Sequence, residues 1–172
     1  GGLLAQLGAF QKKFLPSDHW AALCKTTGDA QQIRGEYQAA IESYLAALAE
    51  PIGDAARSDF LRSIALIYLK NGQYDRMLEY ADQSLEIDQS LDRQIGIASY
   101  HHHLGFAEFG QGHLEPAREH LVIAERIAHE HGGQHVAIHI HIVGEDAGGW
   151  NAQRHVFQRG VSIVVGHWRD VE

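Results

Sequence analysis

Gly72-Gln73-Tyr74, followed by Met77 and Ala81, decides the fold, because the chain writes the same pattern twice more. It occurs earlier as Gly35-Glu36-Tyr37 with Ala40 and Tyr44, and later as Gly112-His113-Leu114 with Ala117 and Leu121. The three glycines are 37 and 40 residues apart, and seven residues before each stands a small residue: Gly28, Ala65 and Gly105. A unit of that length holds two short helices and a tight turn. The small residue lets the two helices approach, the glycine supplies the positive φ of the turn, and the residue two later opens the buried face of the second helix. One such hairpin cannot bury its own apolar stripe; stacked neighbours bury it for one another. The pattern therefore predicts an all-α chain, an α-solenoid of antiparallel helix pairs.

At these residues the chain resembles the tetratricopeptide repeat family, and most closely its longer subtype of roughly forty residues per repeat, found in bacterial regulators and peptide sensors. The stretch from Leu85-Glu86-Ile87-Asp88 through Asp92-Arg93-Gln94 to His103-Leu104-Gly105 reads like the link between successive repeats of that subtype. The resemblance covers about Trp20 to Ala128 and implies a right-handed superhelix with a concave groove.

Working outward, the chain reads as a single domain over residues 1–172. Leu3, Leu4, Leu7, Phe10 and Phe14 mark a leading helix over 1–15, ended by Pro16. Repeat one is expected over 20–50, with helices from Trp20 to Arg34 and Tyr37 to Glu50. Repeat two takes 57–88, with helices from Arg57 to Leu69 and Tyr74 to Asp88. Repeat three takes 96–129, with helices from Gly96 to Phe109 and Leu114 to His129. A degenerate fourth repeat or cap is expected over 136–165, since Ala137–Val143 before Gly144 echoes Ala98–Leu104 before Gly105. The alternation of Val136, Ile138, Ile140 and Ile142 with histidines is also a period-two strand signal; the repeat register favours helix.

Composition bounds the function. Of 172 residues, 45% are hydrophobic and 21% charged, the balance of a globular domain, and no apolar run reaches the ~20 residues of a membrane span. The start, Gly1-Gly2-Leu3-Leu4, lacks the basic region and long apolar centre of a signal peptide, and the absent initiator Met suggests a fragment. Cys24 is alone, so neither an internal disulfide nor a cysteine zinc cage can form, and a cytoplasmic location is the expectation. A net charge of -8 argues against nucleic-acid binding. The unusual number is 13 histidines, whose full protonation would carry the net charge from -8 to +5.

The family resemblance implies that the first helix of each pair lines the groove. One column, three before each small residue, reads Lys25, Arg62, His102 and His141; a second reads Asp29, Leu66, Phe106 and Glu145; a third includes Leu69 and Phe109. The first column is all cations or potential cations, a basic ridge beside an apolar middle. That combination suits a peptide with hydrophobic anchors and an acidic group or free carboxylate, held more tightly at pH 6 than at pH 8 if the histidines charge. Leu66 and Phe106 stand where a carboxylate-clamp asparagine would be expected, which disfavours a chaperone-tail adaptor.

His101-His102-His103 cannot converge on one ion, because consecutive helical residues point about 100° apart. No His-Glu-x-x-His, P-loop, Gly-x-Ser-x-Gly or Gly-x-Gly-x-x-Gly motif occurs. The expectation is a non-catalytic protein–protein interaction module without cofactor or metal, whose partner is a protein or peptide, with no nucleic acid and no membrane. An apolar face left open at an end repeat offers a route to self-association. The alternatives are a peptide-sensing regulatory domain of a larger bacterial signalling or transcription regulator, and a histidine-rich metal-dependent protein.

Overall fold

Four turns are built by the same pair of backbone hydrogen bonds, and these turns position everything else. The computed structural model describes residues 16–131, which fold into six helices: α1 (Ser17–Ile33), α2 (Tyr37–Leu48), α3 (Asp54–Lys70), α4 (Tyr74–Ser90), α5 (Gln94–Gln111) and α6 (Leu114–Glu130). The leading helix expected over 1–15, the unit expected over 136–165 and the helix-or-strand question at 135–142 lie outside the described residues.

The repeated glycines have φ of 78° at Gly35, 68° at Gly72 and 87° at Gly112. At the second turn Gly72 N–H donates to the Leu69 carbonyl at 3.0 Å and Gln73 N–H to the Tyr68 carbonyl at 2.9 Å. This is a Schellman closure, which satisfies carbonyls that the helix end leaves without partners. The same pair of bonds recurs after Gly35, after Gly112 and, with no glycine, after Asp92 at φ 52°. Asp is among the few side chains that tolerate that conformation.

Within each hairpin the small residue does what its spacing predicts. A Cβ on Gly28 would fall on the Tyr44 ring, and one on Gly105 would fall on Leu121 and lie 3.1 Å from the Ala117 carbonyl. Ala65, the third member, is fully buried. Each second helix then packs on the next first helix, α2 on α3 and α4 on α5, while the first helices α3 and α5 also touch directly. An all-α helical solenoid results.

The core includes two clusters along the stack, with the partly buried Tyr68 and Tyr80 packed against both. Tyr44, Ile64 and Ile67, all fully buried, join Ala21, Ile41 and Phe60 between the first two hairpins, with Tyr44 and Phe60 rings 6.0 Å apart. Ala65, Leu69, Met77, Ala81 and Ala107 continue it between the second and third. Burying each of the larger side chains, such as Ile64, Ile67 or Met77, stabilises the fold by roughly 1.5–3 kcal/mol.

The second helix of each pair starts where the sequence placed it, at Tyr37, Tyr74 and Leu114, while the first helices start two or three residues earlier than expected. The helix expected from Trp20 begins at Ser17, directly after Pro16, and the one expected from Arg57 begins at Asp54, directly after Gly53. Pro16 and Gly53 are both extended, with ψ near 150°, so the polypeptide enters each helix from an extended residue.

Candidate functional site

Arg62, expected in the basic ridge of the groove, is one corner of an ion network between hairpins two and three. Asp88, on α4, has no exposed surface. Its carboxylate accepts from Ser58 Oγ at 2.7 Å, Arg62 Nη1 at 2.9 Å and Arg93 Nη1 at 3.0 Å, with Ser84 Oγ at 3.4 Å. Its main-chain carbonyl also accepts the Arg93 N–H that closes the Asp92 turn, at 2.8 Å. Asp59 completes the set, bonded to Arg62 and, at 2.8 Å, to Arg93. Arg93 further donates to the Ala55 carbonyl at 2.9 Å. Gly96 faces the carboxylate so closely that a Cβ there would overlap Asp88. A buried carboxylate persists only when paired and hydrogen-bonded on all sides, and here both oxygens are occupied.

The other members of the expected ridge are also spoken for. Lys25 Nζ lies 3.2 Å from Asp29, one helical turn on, and Asp29 accepts the Tyr44 hydroxyl at 2.7 Å. Burial and that bond to Asp29 push the Tyr44 hydroxyl well above the usual phenol range. His102 packs its ring on Phe106, centroids 4.7 Å apart, and burial pushes its pKa down to about 4. His102 is therefore a neutral aromatic surface at pH 6 as at pH 8, and the expected pH dependence through it is corrected accordingly. His141 and Glu145 lie outside the described residues.

Leu69 requires a second correction. A residue four after a buried small residue shares its helical face, so Leu69 follows Ala65 into the core and is 5% exposed. Leu66 and Phe106 keep part of their surface and flank the same core cluster from α3 and α5; Phe109, on α5, is also partly buried.

The histidine run divides by depth. His103 is buried with its Nδ1 unpartnered, and desolvation, then His102 and Arg62, hold its pKa down to about 3. His101 stacks on His120 of α6, with Nδ1 atoms 3.1 Å apart, so one nitrogen donates and the other accepts. Burial, then the neighbouring His120, lowers the His101 pKa. Among the described residues no group of three or more histidine, cysteine or carboxylate side chains could hold a metal ion. No described helix is long and apolar enough to cross a membrane.

The first-helix side of α3 and α5 thus offers packing surface and few unmatched charges. Residues 57–137 match the family model for the tetratricopeptide repeat. Over that stretch the chain is similar to tetratricopeptide repeats. Stacked repeats of this kind are protein-binding scaffolds, which is the class of function the match brings. Curated relatives of the tetratricopeptide stack include the photosystem I assembly protein Ycf3 of Synechococcus elongatus, 32% identical over 94 residues, or 54% of each chain. The protein of that name from Acaryochloris marina is 35% identical over 65 residues, 38% of this chain and 39% of the relative. The one from Rippkaea orientalis is 31% identical over 91 residues, 52% and 53%. The chain spans about half the length of the Synechococcus and Rippkaea relatives. No solved structure matches it.

Sequence reasoning missed Ser58, Ser84, Asp88, Arg93 and the buried state of His103. The signal was present for two of them: Asp88 and Arg93 stand five apart in the link between repeats, where one side chain can reach the other across the turn.

Proposed function

We propose that the chain is a non-catalytic interaction module whose first-helix side holds an apolar or aromatic-bearing segment of a partner protein. Leu66, His102 and Phe106 form its centre. One observation carries this reading: Leu66 and Phe106 flank a single core cluster from two adjacent first helices and keep part of their surface, with a neutral His102 ring tilted against Phe106. Such a strip accepts the apolar face of a helix or a loop anchor, and affinity comes from burying it.

The acidic or C-terminal peptide expected from the sequence loses its support here. Lys25 and Arg62 already face Asp29, Asp59 and Asp88, and His102 carries no charge at neutral pH. The likeness to photosystem I assembly proteins favours a client protein in the course of assembly over a free signalling peptide.

A photo-cross-linking amino acid at position 66 or 106 tests the reading in lysate of the source organism. Expected is capture of the same partner from both positions, and none from position 79 on the exposed side of α4. Capture from position 79 alone would refute it. Phe106→Ala should then weaken binding of the captured partner by about tenfold or more, the size expected of a central aromatic anchor.

A further inference from the structure

A second surface lies on the edge of the stack, where the first two helix-pair turns stand side by side. Between them opens a cleft of about 740 Å³. Ala39 and buried Ile41 form its apolar part, and the Tyr37 and Tyr68 rings contribute its aromatic part. Tyr68 is held rigid by stacking on Tyr80, centroids 5.6 Å apart and planes within 20°.

Arg76 gives the cleft its sign. Its guanidinium rests 5.9 Å from the centroid of the Tyr68 ring, and among the described residues it has no carboxylate partner. The other charged lining residue, Glu36, is closed by two bonds from Arg34, at 2.8 and 2.9 Å. Among the described residues one unmatched positive charge therefore remains in the cleft lining, set over a ring rather than against an acid. The side-chain amides of Asn71 and Gln73 also line the cleft and make no hydrogen bond among the described residues, which leaves them to meet another backbone.

We propose that this cleft is a peptide-docking site, distinct from the first-helix side, for an extended segment bearing a side-chain carboxylate. Arg76 takes the carboxylate, the free amides pair with the segment's backbone, and the tyrosine rings pack against it. An extended chain fits because six of the ten lining residues are exposed, so both ends of a segment can run out to solvent. A nucleic acid does not fit, since a chain of net charge -8 offers a single unmatched cation here.

The site is tested on the full chain, labelled with ¹⁵N, by titrating the peptide acetyl-Ala-Pro-Asp-Pro-Ala-amide and its Asn counterpart at millimolar concentration. Expected are chemical-shift changes at the Arg76 side chain and at amides 36–39 and 71–76, with the Asp peptide about three- to fivefold tighter. Arg76→Gln, a change at an exposed position, should erase the difference between the peptides, whereas Arg126→Gln should leave it intact. Phe106→Ala should also leave it intact, so failure of this site and failure of the proposed first-helix surface are told apart. Equal affinities for the two peptides, shifts elsewhere only, or a preference that survives Arg76→Gln would each overturn the proposal.

Discussion

Replacing Asp88 by Asn removes one charge and no volume from the centre of the network, and the outcome is set by which atoms face it. Both carboxylate oxygens accept from a guanidinium, Oδ1 from Arg93 at 3.0 Å and Oδ2 from Arg62 at 2.9 Å. An asparagine has one oxygen, so in either amide orientation its NH₂ meets an arginine donor. Breaking a fully buried ion pair costs about 3–5 kcal/mol. Arg62 and Arg93 are 21% and 29% exposed and keep Asp59, which places the expected loss at the lower end, about 3 kcal/mol. In a chain of this size that lowers the thermal midpoint by roughly 6–12 °C.

The assay is urea unfolding followed by helical circular dichroism, with the slope against denaturant checked for constancy so that the shift reports stability. Asp59→Asn is the control, because Asp59 is 36% exposed and a pair open to solvent is worth about 1 kcal/mol or less. A loss below about 1 kcal/mol for Asp88→Asn, or one matched by Asp59→Asn, would refute the claim that a buried carboxylate joins hairpins two and three.

Acid should loosen the third hairpin. The His102 and His103 pKa values are held down to about 4 and about 3, below the unfolded value, so the unfolded chain takes up protons first as pH falls. Stability fully present above about pH 6.5 is therefore lost progressively below it, by about 2 kcal/mol for each residue at about pH 5. Urea midpoints that do not fall between about pH 7.5 and pH 5 would contradict this. Gly105→Ala places a methyl against Leu121 and the Ala117 carbonyl and should cost about 1–3 kcal/mol. Gly53→Ala meets nothing within 4 Å at φ -64°, and its gain in unfolded-state entropy is offset by the loss of a glycine N-cap, so it should change stability by less than about 0.5 kcal/mol. The same unfolding assay ranks the pair, and equal effects would count against close packing at Gly105.

The helix pairs were legible because their signals are local. A glycine that closes a turn and a small residue seven before it both act within one hairpin, and Gly72 with Ala65 behave as their spacing implies. The Asp92 turn was less legible, since an aspartate there replaces the glycine. Burial was the property that spacing could not supply. His102 stood as a potential cation in the ridge until the fold buried it with its ring tilted against Phe106, and Arg62 stood in that ridge until Asp88 came to it from another helix. Leu69 could have been assigned correctly, because it stands one helical turn beyond buried Ala65. The Arg76 cleft needs two turns 37 residues apart to stand side by side, which no single repeat encodes.

Amide hydrogen exchange of the chain, alone and with the partner recovered through the cross-linker at position 106, tests the central claim most directly. Slowed exchange in α3 and α5, with α4 and α6 unchanged, is the predicted result. Protection confined to α4 and α6 would mean that the partner sits on the opposite side of the stack and would contradict the account.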